Sequence, residues 1–282
     1  AADAGRRDFT MNAIYADLFG RLTDPTGGVA DALARRVRFI GDAHERIRED
    51  YLRILRFFRF HAAFGSGNPD PAGLAACCEL AFGLERLSRE RVGQEMRKLL
   101  VAPGAAATVS LMADVGILGH VLPGFTDPAA FERLVDIAAR EGVRLDPALA
   151  LVVLAVSRGD AAEVAAIGER LRLSRAETAR AAQVAELAWT LRPDPDQTAV
   201  KLAVYRQGND AVTAALLAAA AKAGTAIPPH LALARDWLAP RFPVTGKQLL
   251  ADGYPPGPAL GRRLAELEAA WIAETFGKDG QD

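Results

Sequence analysis

The pattern of hydrophobic and polar positions along the chain changes near residue 42. Before that point the pattern is mixed, and after it the apolar residues recur at helical spacing. The elements predicted for the first part are two short strands, NAIYAD at 12–17 and RLTD at 21–24, with a turn at Phe19 and Gly20; a DPTGG loop at 24–28; one or two helical turns in VADALARR at 29–36; and a short strand, VRFIG, at 37–41.

From residue 42 onward the sequence predicts helices. Asp42 is placed as the N-cap of one helix that continues to Gly65, with Glu45 at the spacing of a capping box. A second helix follows the Pro-rich turn near residue 70, and Ser88 is the expected N-cap of a third. From residue 105, proline- and glycine-rich turns separate an expected eight to ten helices, so the fold class is mainly α.

Composition narrows the classes of protein that fit. The chain has 282 residues, enough for two or three domains, and its net charge of −1 argues against a general polycation. No apolar run is long enough for a membrane span. The only cysteines, Cys77 and Cys78, are adjacent, which excludes a disulfide framework. No export signal opens the sequence, so a cytoplasmic location is expected.

The first candidate for chemistry is GRRDFTMNA at residues 5–13. Arg6 and Arg7 precede Asp8, which is placed to cap a short helix. Two guanidinium groups beside helix-terminal N–H groups would form an anion site suited to phosphates. For the dipeptide alone, an ordinary capped helix with solvated arginines is the better explanation. In the loop that follows, Asp24, the glycine pair and Asp31 are assigned mainly to architecture.

The second candidate is REDYLRILRFFRF at residues 48–60. Arginines recur every third residue among apolar side chains, and on a helix each such step drifts back by about 60°. Asp50 and Arg53 would then be neighbours, Arg56 would stay close, and Arg59 would lie almost opposite Asp50. Arginines on a buried helix need anions. Those anions could be the phosphates of a ligand or internal carboxylates, for example in a Glu49–Arg53 pair.

Asp50 and Arg53 together suit particular nucleobases. Cytosine and adenine each present an exocyclic amine next to a ring-nitrogen acceptor, whereas uracil and guanine present a carbonyl there. An aspartate accepts from the amine and an arginine donates to the ring nitrogen. Each unmatched buried polar group costs about 1–3 kcal/mol, so such a pair would accept C and A and reject U and G.

These stretches, in this order and spacing, closely resemble the class II tRNA nucleotidyltransferase (CCA-adding enzyme) and bacterial poly(A) polymerase family. The similar segments are RRDFTMNA at 6–13, GRLTDPTGGVADALARRVRFIGD at 20–42, REDYLRILRFFRF at 48–60, LSRERVGQEMRKLL at 87–100 and the C-terminal FPVTGKQLLADGYPPGPALGRRLAELEAAWI at 242–272. Together they extend over both ends of the chain, and five signatures in order are far beyond chance.

The resemblance implies a C-terminal remnant of a nucleotidyltransferase α/β head followed by an all-helical neck, body and tail. The implied domains are residues 1–42 for the head, 43–104 for the neck that recognises the base and binds RNA, and 105–282 for the body and tail that bind tRNA. The implied nucleotide-binding residues form two groups: Arg7 and Asp8 at the triphosphate and ribose, with Arg6 beside them; and Asp50 and Arg53 as the base template, with Arg56 and Arg59 supporting the nucleotide and its phosphates.

One feature of the family is not found in the sequence. The family's catalytic centre is a Gly-Gly turn with an Asp-x-Asp pair upstream of the RRDFT motif, where carboxylates hold the metal ions. Mg²⁺ is therefore expected for the complete enzyme, while this chain is expected to hold no metal ligand and no catalytic residue. As given, it would be inactive alone, as a fragment or as one half of a split enzyme whose catalytic segment is a separate partner.

Three functions are therefore weighed. The first is addition of C, C and A to tRNA 3′ ends from CTP and ATP, and the second is poly(A) polymerase activity with ATP alone. The near-neutral net charge weakly favours the first. The third is a non-catalytic RNA- or nucleotide-binding helical module. The expected partners are the tRNA 3′ end, CTP and ATP, with no membrane.

Overall fold

The computed structural model describes residues 6–122, 124–157, 159–191, 195–225 and 230–276. Its α-helices are α1 Gly28–Leu33, α2 Ala43–Glu49, α3 Leu52–Phe64, α4 Pro71–Glu79, α5 Arg89–Leu100, α6 Ala105–Asp114, α7 Ile117–Val121, α8 Pro128–Arg140, α9 Pro147–Ala155, α10 Ala161–Arg170, α11 Arg175–Leu191, α12 Gln197–Gln207, α13 Asn209–Ala223, α14 Leu231–Asp236, α15 Gly246–Ala251 and α16 Pro258–Phe276. The prediction of a mainly α fold is therefore confirmed.

The predicted hairpin is present near the start of the chain. Strands β1 Tyr15–Ala16 and β2 Leu22–Thr23 pair antiparallel, with Tyr15 opposite Thr23. The prediction of a further strand at 37–41 is wrong. That segment forms only an isolated bridge, because the buried Phe39 ring packs on Phe9 and Phe57, with ring centroids 4.9 and 5.5 Å away. Packing of aromatic rings, and not a series of hydrogen bonds between strands, holds this segment.

The helix predicted from Asp42 to Gly65 is two helices. Asp42 caps α2 by accepting from the Glu45 N–H, and Gly65 follows the end of α3, as expected. The chain breaks between them at Asp50, whose φ of −157° and ψ of 105° are extended. The Asp50 carboxylate accepts from the Leu52 N–H at 3.1 Å. Aspartate competes with a helix by such local bonds, and the sequence pattern does not register this competition.

The chain divides into two compact units, residues 1–185 and 186–282. In the first, α3 packs against α5 and α6. Its fully buried side chains include Ile54, Leu55, Phe57 and Phe58. This division does not test the predicted domain boundaries at residues 42 and 104, which stay a prediction.

In the second unit, α13 is buried along nearly its whole length. The Asn209 side chain at its start donates to the carbonyls of Ala234 and Trp237, each at 2.8 Å, which ties α13 to the end of α14. Tyr205 donates to Glu268 at 2.5 Å, and this hydrogen bond is the largest of the effects that raise the pKa of the tyrosine to about 12.

Beyond residue 104 the described residues form eleven α-helices, more than the eight to ten predicted. Several of them, such as α7, α14 and α15, have only five or six residues. An apolar periodicity of 3.6 does not become visible in so few positions. No α-helix among the described residues is both long and apolar enough to cross a membrane.

Candidate functional site

The three arginines of α3 point into protein contacts and not into bulk water. Their side chains keep only 14 % exposure at Arg53, 31 % at Arg56 and 16 % at Arg59. The residues between them are largely buried, so the helix places cations within a packed environment. Cations in such places need nearby anions, and each of the three pairs with a carboxylate.

Arg56 pairs with Asp8, which is itself only 5 % exposed. Asp8 also accepts from the Asn12 side chain at 2.5 Å and from the Phe9 N–H at 3.2 Å. Burial alone would raise the pKa of Asp8, but the hydrogen bond and charge of Arg56 and the bond from Asn12 lower it below its usual value. Asp8 therefore stays ionised.

The expected helix-capping role of Asp8 is wrong. A single 3₁₀ turn, Thr10–Asn12, follows it, but that turn begins after Phe9 and has no side-chain cap. Arg56 and Asn12 instead draw the carboxylate inward. The buried ion pair is a stronger interaction for this side chain than a terminal N–H group.

Arg59 pairs with Glu95, a buried glutamate on α5 that also lies 4.0 Å from Arg56. Sequence reasoning did not identify Glu95. It occupies the apolar stripe of α5 beside Val92, Met96 and other buried residues. A glutamate on a buried stripe requires a cation, and that signal could have found it.

Arg53 pairs with Glu49, the internal ion pair that the sequence offered as the alternative to a ligand. Its Nη1 also donates to the Arg46 carbonyl at 2.6 Å. The hydrogen bond from Arg53 is the main reason that the pKa of Glu49 is lowered, although partial desolvation opposes it. Each of the three arginines of α3 thus has an internal anion.

Asp50 lies in the break between α2 and α3, and its second carboxylate oxygen accepts from Arg91 Nη2 at 2.6 Å. Arg91 belongs to α5 and was also missed, because nothing in its own segment points to Asp50. Asp50 and Arg53 lie within one turn of each other, joined by the Arg53 N–H to the Asp50 carbonyl at 3.0 Å. Their side chains bind different partners: Asp50 binds Arg91, and Arg53 binds Glu49.

Arg6 and Arg7 are exposed. The Arg7 carbonyl accepts from Arg46 Nη2, so the segment that contains them is held against α2. Arg46 is a further residue that sequence reasoning did not name.

The loop assigned to architecture has that role. Asp24 accepts from the N–H groups of Gly28 and Val29 at 2.7 and 2.9 Å. Asp31 is fully buried and accepts from Thr10, Arg36 and Arg38.

The charges of the cluster sum to an excess of cations. Its four carboxylates are Asp8, Glu49, Asp50 and Glu95, and its five arginines are Arg46, Arg53, Arg56, Arg59 and Arg91. The net charge of these nine side chains is therefore +1. Such a surface can attract and orient an anion such as a phosphate.

The same residues are less suited to binding a metal ion than to binding an anion. Within the described part of the chain, no group of three or more His, Cys, Asp or Glu side chains could hold a metal ion. The buried carboxylates of the cluster are bound to guanidinium groups. These residues do not fit a divalent cation.

Two family profiles match the chain. One, described as "Poly A polymerase head domain", matches residues 1–38, and the other, "Probable RNA and SrmB- binding site of polymerase A", matches residues 68–127. The two matched regions include the signature segments RRDFTMNA and LSRERVGQEMRKLL.

The chain is 31 % identical to the mitochondrial CCA tRNA nucleotidyltransferase 1 of Danio rerio over 95 % of its own length. It spans 62 % of the length of that relative. The CCA-adding enzyme of Geobacillus stearothermophilus is 42 % identical over 49 % of this chain.

Among solved structures, the Bacillus stearothermophilus CCA-adding enzyme in complex with CTP aligns with 99 % of this chain and 71 % of its own, at 28 % identity and a TM-score of 0.62. The Thermotoga maritima CCA-adding enzyme complexed with tRNA has a TM-score of 0.65 at 19 % identity, which supports the fold alone.

Proposed function

Because the chain belongs to the family of class II CCA-adding enzymes and bacterial poly(A) polymerases, we propose that it acts in a tRNA nucleotidyltransferase that adds C, C and A to tRNA 3′ ends. The proposed substrates are CTP, ATP and the tRNA 3′ end. The Danio rerio relative carries this activity in its name, and the Bacillus stearothermophilus structure holds CTP.

The observation that carries the proposal is the arginine cluster at the junction of α2 and α3. In it, Arg56 pairs with Asp8, and Arg46 donates to the Arg7 carbonyl while its own carbonyl accepts from Arg53. In the proposed complex, Arg6 and Arg7 face the phosphates, and the Asp8–Arg56 pair supports the sugar end. Arg59 holds the cluster to Glu95 on α5.

Asp50 and Arg53 are the proposed base template. A carboxylate has about four lone-pair sites and a guanidinium has five N–H donors. The contacts to Leu52, Arg91, Glu49 and the Arg46 carbonyl use only part of this capacity. The pair can therefore accept the amine of C or A and donate to its ring nitrogen without first giving up all of its internal partners.

The divalent metal that nucleotidyltransferases of this family generally use is not assigned to any described residue. Mg²⁺ would neutralise developing phosphate charge in the complete enzyme. The residues present here contribute binding, orientation and base choice, and no catalytic proton transfer is assigned to them.

Two other functions remain as alternatives. The "Poly A polymerase head domain" match favours poly(A) polymerase activity as the second candidate. A non-catalytic RNA- or nucleotide-binding module is the third, and metal-dependent labelling of tRNA would rule it out. A cytoplasmic location stays a prediction, and the Danio rerio relative is mitochondrial.

The test compares the two ends of the proposed nucleotide site in the complete enzyme. Asp50→Ala and Arg53→Ala should reduce the preference for CTP and ATP over UTP and GTP by about tenfold or more, since a lost hydrogen-bond match is worth about 1–3 kcal/mol. Arg7→Ala should weaken CTP and ATP alike. The measurement is kcat/KM for all four nucleotides.

The matched control is Arg48→Ala on the exposed side of α2, which should leave all four values nearly unchanged. Equal losses for all four nucleotides in Asp50→Ala and Arg53→Ala would contradict the template. A base-selective defect in Arg7→Ala would contradict its phosphate role.

A further inference from the structure

We propose that Arg46 is a positioning residue that fixes the base-reading arginine relative to the phosphate-binding segment, and so sets base specificity. This inference rests on the proposed function of Arg53 and Arg7. It assigns a role to a residue for which no contact with the nucleotide is proposed.

The guanidinium group of Arg46 spans two parts of the site. Its Nη2 donates to the Arg7 carbonyl, and its Nη1 donates to Glu49 Oε2 at 2.7 Å. The side chain is only 12 % exposed. One rigid, planar fork therefore holds both the segment at residue 7 and the end of α2.

The backbone of the same residue holds Arg53. The Arg46 carbonyl accepts from Arg53 Nη1 at 2.6 Å, and Glu49 accepts from the same nitrogen. Arg46, Glu49 and Arg53 thus close a ring of hydrogen bonds. A rotation of the Arg53 side chain would have to break both of its contacts in that ring.

The break at Asp50 makes the Arg46 carbonyl available. In a continuous helix this carbonyl would accept from the N–H four residues later, at Asp50. That N–H instead bonds to the Ile47 carbonyl at 3.1 Å. The last carbonyls of a helix need other partners, and the Arg53 guanidinium is the partner here.

Stability alone does not explain an arginine at this position. Among the residues that the structure describes, its buried Nε has no hydrogen-bond partner, which is destabilising. An apolar side chain of similar length would avoid that unpaired donor. The contribution specific to arginine is the bridge from the Arg7 carbonyl to Glu49.

A lysine at position 46 keeps the charge and loses the fork, because one ammonium group cannot reproduce two contacts in fixed planar geometry. We therefore expect Arg46→Lys to lower the ratio of CTP to UTP affinity about tenfold, the size of a lost hydrogen-bond match. The measurement is equilibrium binding of CTP, ATP, UTP and GTP to the complete enzyme. Arg48→Lys, two residues away and exposed, is the control and should leave the ratio unchanged.

A double-mutant cycle with Arg53→Ala separates positioning from a general structural defect. If Arg46 acts through Arg53, the loss of discrimination in Arg46→Lys should disappear once Arg53 is removed. Additive losses in the cycle, or an unchanged ratio in Arg46→Lys, would overturn the role of Arg46. If the wild type still prefers C and A in that case, the proposed function stands. A wild-type chain without preference for C and A would contradict the proposed base template itself, and this role with it.

Discussion

At the scale of single residues, buried carboxylates bind two arginines of α3. The sequence showed that the arginines of α3 need anions, and it left open whether a ligand or the protein supplies them. The structure pairs Arg56 with Asp8 and Arg59 with Glu95. Tertiary packing selects these partners across 48 and 36 positions, and no local pattern contains that information.

Asp8 gives a pH-dependent test at this scale. Its pKa is lowered in the folded protein from 3.8, so its contribution to stability is complete above that value and is lost as the pH falls through the lower folded pKa. Asp8→Asn should therefore reduce the free energy of unfolding by about 1–3 kcal/mol at pH 7, with the gap to the wild type narrowing below about pH 4.

The measurement is urea unfolding at several pH values. The control is Asp17→Asn in the exposed hairpin, where the change should be much smaller. A wild-type advantage of constant size down to pH 2 would show that ionised Asp8 is not what stabilises the cluster.

At the scale of elements, local signals located the starts of α2 and α5 but not the break at Asp50. Asp42 and Ser88 cap their helices as the sequence predicts. The apolar pattern continues through residue 50, so it predicts one helix. The local bond from the Leu52 N–H and the ion pair with Arg91 favour an extended Asp50, and the second of these depends on the tertiary position of α5.

The close approach of α5 to the end of α10 gives a test at this scale. A Cβ on Gly93 would lie 1.9 Å from the Leu171 carbonyl oxygen. Gly93→Ala should therefore destabilise the protein by about 1–3 kcal/mol, because α5 has to move away. Chemical denaturation gives the free energy of unfolding.

Gly119→Ala in α7 is the matched control, since a Cβ there meets nothing within 4 Å. It should stabilise the helix by about 0.5–1 kcal/mol. If both variants gained stability, the described packing of α5 would be wrong.

At the scale of the whole molecule, sequence signatures in order predicted the family and the mainly α fold, which the comparisons and the structure confirm. The partners of the site were less predictable. Glu95, Arg91 and Arg46 lie in segments whose periodicity reports burial but not the identity of the neighbour. Motifs thus identified the proposed nucleotide contacts, and the residues that hold them required the fold.

The most direct test of the account is incorporation by the complete gene product that contains this chain. It is incubated with tRNA that lacks its 3′ CCA, and CTP, ATP, UTP and GTP are offered singly and as CTP with ATP. The account predicts that CTP alone adds C, that the pair completes CCA, and that UTP and GTP add nothing. Repeated addition of A without any C, or incorporation of all four nucleotides, would contradict it.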